Sequence, residues 1–539
     1  MSGSVARSTA LMASGTAVSR LAGMARAALL GAAIGVGTAA ANAFDAANTL
    51  PNFFYAILAE GVLNAVLVPQ IVRAFARGQG EEFVQRLLTL ATLLLGALTA
   101  LLTLTASFWI ALFTNGWTRE QLALGTVFAY WCLPQVFFYG LYALWSQVLN
   151  ARGAFGTVMW APVANNLVSI GGFVVFIVAF GRYGTLPEGH ALGSWTGGMV
   201  ALLAGTATLG IVVQALILLA PMARLGLTPR WRWGFRGFGL GRAARMAGWT
   251  SLSLLFSQGA MWVAIKLSSG AGAAAGPDRV VASNAVLSQA LMIYIIPHSL
   301  VTVSLTTALF TRMSEHAIAG KLGRVRRDLS YGIRTTSAFS FLFTALFVVL
   351  ALPVCRVVQP GVTLPEVEAM VGPVVAMSLG LVPLGMTLLI KRVFFALEDG
   401  RTLLALQIPM SLLFAGFSLV SVWLLDPGWW VTGIALGQTL SFLAGAVLRL
   451  ASLRDRLGGV DGPRLAWMHA RAGVAAAVTG ELGWLLLQAF PGQGGASVAT
   501  ALAALAVVGP VMAVLYLVAL AALGVRELTA FALPRLHRR

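Results

Sequence analysis

An all-α polytopic membrane protein with about fourteen transmembrane helices is the fold class this chain predicts. Three observations carry that reading. Of its 539 residues 58% are hydrophobic and only 10% charged, with mean hydropathy +0.85, a composition that one soluble core has no room to bury. The apolar residues fall into runs of roughly 20 or more, the length a helix needs to cross a bilayer. Between the runs, Lys and Arg gather in every second loop, as expected when basic residues stay on the cytoplasmic side.

Taken in order, the runs cover residues 9–35, 41–72, 87–113, 121–149, 157–180, 196–222, 246–270, 281–311, 331–356, 367–395, 402–425, 430–450, 465–489 and 497–523. The first contains Arg20 and Arg26 and lacks the short basic segment, brief apolar core and small-residue cleavage site of a signal peptide, so it is expected to remain as the first span. Basic loops follow the even-numbered spans: Arg73, Arg77 and Arg86 after the second, Arg152 after the fourth, and six arginines from Arg224 to Arg245 after the sixth. The pattern continues with Arg312, Lys321 and Arg324 to Arg327 after the eighth, Lys391, Arg392 and Arg401 after the tenth, and Arg454, Arg456 and Arg464 after the twelfth. The odd loops hold few, such as Arg119, Arg182 and Arg279. Both termini are therefore expected in the cytoplasm, in a multi-pass protein of the cell (inner or plasma) membrane. The run Arg230-Trp231-Arg232-Trp233 reads as an interfacial anchor.

A weak repeat relates the two halves. The linker from Arg77-Gly78 to Leu88 resembles that from Ala319-Gly320 to Leu329, and Pro134, Gly153 and Pro162 are echoed by Pro383, Gly400 and Pro409. The expected organisation is an N-terminal six-helix lobe over residues 1–223, a basic cytoplasmic linker over 224–245, a C-terminal six-helix lobe over 246–456, and two extra helices with a basic tail over 457–539. Six crossings return the chain to its starting side, so the lobes form a parallel repeat, with substrate expected between them near the midplane. The two extra spans either add a groove for a lipid tail or pack against the second lobe.

The net charge of +18 does not indicate nucleic acid, because the basic residues are scattered between apolar runs and form no phosphate-tracking patch. Cys132 and Cys355 lie in or beside apolar runs and make no disulfide framework. No metal-ligand spacing, no phosphate-cradling glycine loop and no catalytic motif occurs, so no cofactor, no metal and no enzyme activity is expected.

Arg20 and Arg26 carry the functional reading. A charge at bilayer depth costs about 3 kcal/mol on insertion scales, so such residues face a polar cavity and mark a substrate path. In the second span Asn42, Asp45, Thr49 and Asn52 stand at i, i+3, i+7 and i+10, one face of a helix. That stripe either lines the cavity or serves interhelical hydrogen bonds. Pro51 removes a backbone donor there, a helix break in hydrogen-bonding terms, and predicts a bend at Leu50-Pro51-Asn52. Glu60 follows in the same run and either joins the site or pairs with Arg20 or Arg26. In the second half Gln258, Asn284, Gln289 and His298 either extend a polar lining or form packing hydrogen bonds. Substrate binding is thus assigned to Arg20, Arg26, Asn42, Asp45, Asn52 and Glu60.

The segments Ser19-Arg20-Leu21-Ala22-Gly23-Met24-Ala25-Arg26, Asn42-Ala43-Phe44, Leu50-Pro51-Asn52, Leu58-Ala59-Glu60-Gly61 and Val68-Pro69, in that order and spacing, resemble the MurJ (MviN) family of lipid II flippases within the multidrug, oligosaccharidyl-lipid and polysaccharide exporters. The resemblance implies export of an undecaprenyl-diphosphate-linked peptidoglycan precursor to the outer leaflet by alternating access, with Arg20 and Arg26 matching essential arginines of the first helix. It implies lipid II or a similar polyprenyl-diphosphate lipid as ligand, with cell-wall synthesis proteins as possible partners. The chain departs from the family pattern at Ala27, where an acid is common, at Asn42, where an Asp is common, and at Tyr55 and Met292, where further arginines are common. Spans eleven and twelve offer no acids for a sodium site. Three other functions fit the same sequence less well: export of another lipid-linked oligosaccharide, drug or cation antiport, which would want an acidic cavity, and a non-transporting scaffold for cell-wall assembly.

Overall fold

A computed structural model describes residues 2–58, 80–152, 154–185, 191–227, 232–233, 241–525 and 527. Among the described residues the regular structure is helical, without strands. Eleven of these helices are long and apolar enough to cross a membrane, or twelve if Leu364–Ser378 and Leu381–Ala396, bent by 45°, form one span. Two more expected spans coincide with the helices Ala39–Leu58 and Gly241–Ser269, which are not among those eleven. Asn42, Asp45, Asn48 and Asn52 dilute the first of them. The expected count of about fourteen is therefore not reached on length and apolarity alone.

The chain divides into two compact units, Met1–Gln258 and Gly259–Arg539. The first holds α1 (Ser2–Ile34), α2 (Ala39–Leu58), α3 (Gly80–Leu104), α4 (Ala106–Phe113), α5 (Arg119–Cys132), α6 (Gln135–Ala151), α7 (Phe155–Phe180), α8 (Gly197–Leu216), α9 (Leu219–Arg224) and the first part of α10 (Gly241–Ser269). Hydroxyl residues start several of these helices: Thr38 Oγ1 accepts from Ala41 N at 3.0 Å, and Thr118 and Thr196 cap α5 and α8. Lipid tails are as apolar as leucine, so helices associate here by close approach and hydrogen bonds. On α1 the small residues Gly15, Ser19 and Gly23 face α7. A Cβ on Gly15 would stand 3.1 Å from Trp160 Nε1, and Asn166 Nδ2 donates to Ser19 O at 3.0 Å. Likewise α7 meets α8 where Asn165 Nδ2 donates to Gln214 Oε1 at 2.9 Å. Val84, Leu88, Leu144, Val148, Leu218 and Met222 form an apolar core between α3, α6 and α9.

The second unit continues from α10 through α11 (Ala271–Ala275), α12 (Asn284–Pro297), a π-helical turn (His298–Thr302), α13 (Val303–Ile318), α14 (Leu322–Val358), α15 (Leu364–Ser378), α16 (Leu381–Ala396), α17 (Gly400–Leu424), α18 (Trp430–Arg454), α19 (Gly462–Leu487) and α20 (Val498–Ala522). Helix α14 is its axis, packed against α13, α15, α16, α19 and α20. It kinks at Leu350 (φ −100°, ψ 17°), three residues before Pro353, where the proline ring disrupts the helical bonding. The last two helices dock on α14, with Tyr516 Oη donating to Ala338 O at 2.8 Å, and an open cavity of about 680 Å³ lined by Phe341, Thr344, Val348, Glu481 and Trp484 lies between α14 and α19. Ion pairs fasten the second unit, Arg279 to Asp426 at 2.7 Å, Arg312 to Asp328 at 3.1 Å, Arg456 to Asp399 and Arg334 to Glu527, and His316 Nδ1 stands 3.0 Å from the Asp328 carboxylate.

Candidate functional site

Three helices of the first unit bring polar groups together around Arg26. On α1 the face of Gly15, Ser19 and Gly23 is committed to α7. Arg26, three residues beyond Gly23, is half-buried. Helix α6 supplies Tyr139, which lies within electrostatic reach of Arg26 and close to the Asn52 side chain of α2. One turn along α2, Tyr55 stacks on Tyr139 with ring centroids 5.1 Å apart and planes at 29°. Asn52 itself is exposed, and its Nδ2 donates back to Asn48 O at 3.3 Å. Among the described residues neither Arg20 nor Arg26 forms an ion pair with a carboxylate. A half-buried guanidinium with no carboxylate against it keeps its planar fork of N–H donors for an anion, and phosphate oxygens match that fork in pairs.

The other expected site residues are distributed. Arg20 is exposed and stands six residues before Arg26, about 120° around the helix. Asn42 is buried at 6% exposure. It lies ten residues before Asn52, about 15 Å along α2, so it sits apart from Arg26, at the end where Gln121 Nε2 of α5 donates to Ala39 O at 3.2 Å. Asp45 is half-buried between these ends. Glu60 falls outside the described residues. Helix α2 runs from Ala39 through Pro51 to Leu58, with the proline inside it at the cost of one backbone bond.

Several polar residues escaped the sequence reading. Asn48 accepts from Gln135 Nε2 at 3.4 Å, and the same Nε2 donates to Thr208 Oγ1 at 2.9 Å, so the polar stripe of α2 is pinned to α6 and α8. Its signal was available, because Asn48 stands three residues after Asp45 and four before Asn52. Tyr139 gave none, since a tyrosine in an apolar run is unremarkable until its neighbours are known. In the second unit Arg449 of α18 is fully buried and donates to Gln407 Oε1 of α17 at 2.8 Å. The argument that singled out Arg20 and Arg26, a cation inside an apolar run, applies to it equally.

Comparison with known proteins gives one consistent picture. A family model described as "Lipid II flippase MurJ" matches residues 28–505. A curated relative from Rhizobium meliloti (strain 1021), "Probable lipid II flippase MurJ", is 27% identical over 538 residues, covering 96% of this chain and 94% of the relative. Another of the same name from Synechocystis sp. is 26% identical over 412 residues, covering 74% and 73%. Among solved structures, a "Lipid II flippase MurJ, inward closed conformation" is matched with TM-score 0.72 at 17% identity over 96% of this chain and 99% of that one. An inward-facing multidrug resistance MATE family transporter of the MOP superfamily is matched with TM-score 0.64 at 18% identity, over 82% and 96%.

Proposed function

The chain belongs to the lipid II flippase MurJ family, and from that premise we propose that Arg26 binds the diphosphate of an undecaprenyl-linked peptidoglycan precursor, lipid II, during its passage from the inner to the outer leaflet. The observation that carries this reading is the half-buried Arg26 with Tyr139, Asn52 and Tyr55 gathered beside it and no carboxylate paired to it among the described residues. A diphosphate carries about two negative charges, and bonds between ionised partners are roughly twice as strong as neutral ones. Arg20 acts earlier on the path as an exposed cation that draws the headgroup in. Asn42 and Asp45 hold α2 against its neighbours, Asn52 borders the headgroup, and Glu60 is assigned to headgroup binding from its place in the sequence alone.

Two lobes, residues 1–223 and 246–456, alternate access to the site, and both termini lie in the cytoplasm, where the basic loops meet anionic headgroups. A ligand shifts such an equilibrium only by binding one state better than the other. Diphosphate on Arg26 therefore favours closure of the inner side. No chemical bond changes, so the protein works as a transporter and not as an enzyme. Cell-wall synthesis proteins receive the exported lipid.

The test is depletion of the protein in its own cells, with outer-leaflet lipid II measured after rescue by wild type or by Arg26→Ala. Wild type is expected to restore export and Arg26→Ala to fail at equal abundance in the membrane. Full rescue by Arg26→Ala overturns the assignment of Arg26, and unchanged outer-leaflet lipid II on depletion overturns the function.

A further inference from the structure

The span from Asn284 to Ile318 is interrupted at its middle. Pro297 ends α12 and a π-helical turn, His298–Thr302, follows, in which Val303 N bonds back to His298 O. Single π turns cost regular bonding and recur at functional positions. His298 is 7% exposed and its Nδ1 has no hydrogen-bond partner. Thr302 and Thr306 follow at intervals of four on the same face, 2% and 1% exposed. A Cβ placed on Gly385 of α16 would stand 3.7 Å from Thr302 Oγ1 and 3.8 Å from Ser340 Oγ of α14, so three helices converge on these hydroxyls. One turn further, Thr306 Oγ1 and Ser337 Oγ are buried and also lack partners.

An unpaired buried polar group costs about 1–3 kcal/mol, and a seam holding three of them in one packed region has more than helix adhesion requires. We propose that His298 is an intramembrane proton-binding site, continued by the hydroxyls of Thr302, Thr306, Ser337 and Ser340, and that the proton it takes is a coupling ion of the transport cycle, an inference that rests on the transport reading above. The lone pair of the unprotonated ring nitrogen takes the proton and imidazole becomes imidazolium; its release to the other side restores the starting state. The hydroxyls suit this role because each both donates and accepts.

The seam is closed toward the basic end of these helices by Leu309, Met313, Ile333 and Leu389, all at most 3% exposed. A proton therefore enters from the other half of the span, and passage beyond requires that apolar cluster to part. The charged groups of the packed elements stand away from the ring. With Thr302 level with Ser340 and Gly385, the nearest are Arg312 on α13, Arg334 and Arg356 on α14 and Lys391 on α16, each about 15 Å or more from His298 along the helix axes. The other titratable groups on the same elements are Tyr294, one turn before His298, Cys355 near the far end of α14, and His316 on α13 and Tyr331 on α14, both beyond the apolar cluster toward the basic end. Protonation at His298 is thus a change of local charge in a region without another, which gives it leverage on helix packing.

The experiment uses the full chain in lipid nanodiscs with 15N-labelled histidine, followed from about pH 4 to 8, the range that spans ordinary histidine titration. The signal missing from His298→Gln is expected to titrate within that range in wild type, and its midpoint to shift in Thr306→Val. A signal that stays constant throughout overturns the site. In proteoliposomes with the potential clamped at zero, a pH gradient of about one unit is expected to change lipid II translocation by wild type several-fold, while His298→Gln translocates at the same rate with and without it. Equal response of the two proteins overturns the coupling role. If wild type moves no lipid II, the transport reading fails, and the histidine titration still decides the site.

Discussion

Arg26 could be singled out in the sequence because an arginine inside an apolar run needs a polar partner, a cavity or an anion. What surrounds it could not. Tyr139 lies more than a hundred residues away in sequence, and nothing in the local pattern of α6 announces that it stands near Arg26 and Asn52. The stripe on α2 was read by its period, and the structure divides it: Asn52 joins Arg26, whereas Asn42 is buried at the other end of the helix. Two outcomes follow at this scale. Lysine keeps the charge of Arg26 but lacks the planar fork, so Arg26→Lys is expected to lower lipid II translocation about tenfold, the worth of one charge-assisted bond, in a proteoliposome assay. Tyr139→Phe keeps the stack on Tyr55 and removes the hydroxyl. It is expected to cut translocation by a few-fold, about the worth of one neutral hydrogen bond, with thermal stability within about 1 kcal/mol of wild type.

Individual helices are held by contacts whose loss is measurable. Gly210 of α8 lies against α7, and a Cβ there would stand 2.3 Å from Asn165 Oδ1 and 2.8 Å from Asn165 O. Gly210→Ala is therefore expected to destabilise the protein by about 1–3 kcal/mol through overpacking, read as a lower melting temperature in detergent. Between loops of the second unit, Arg279 donates to both carboxylate oxygens of Asp426, at 3.1 and 2.7 Å. Arg279 and the backbone N–H of Gly428 hold the Asp426 carboxyl below its ordinary range. A carboxyl depressed in the folded state adds stability above its unfolded value, about pH 4, and loses it as the pH falls through the folded value. Asp426→Asn is accordingly expected to lower the melting temperature slightly at neutral pH and to match wild type once the pH drops below that window, a small effect because the pair is exposed. This pair was not legible, since its partners are separated by 147 residues.

For the molecule as a whole, composition and the alternation of basic loops were enough for the fold class, because bilayer thickness imposes span length and only fully bonded helices or closed barrels can cross. The span count was less secure for a physical reason: a helix carrying several polar side chains, such as α2 with Asn42, Asp45, Asn48 and Asn52, loses the apolarity by which spans are counted. An anionic headgroup carried outward gains about 2.3 kcal/mol per charge per 100 mV of inside-negative potential. Collapsing an inside-negative potential at constant pH is expected to slow delivery of lipid II to the outer leaflet several-fold, measured in cells or in vesicles, and no change would separate voltage from the cycle.

The bond from Tyr516 to Ala338 gives the final helix a use beyond its own stability. Because α20 is bolted at mid-depth to the helix around which the second unit is arranged, a dye attached near its end would be carried along whenever that unit tilts. Single-molecule distance measurements from such a tag to one on α1 would record the tempo of the cycle while leaving the residues around Arg26 and His298 unmodified.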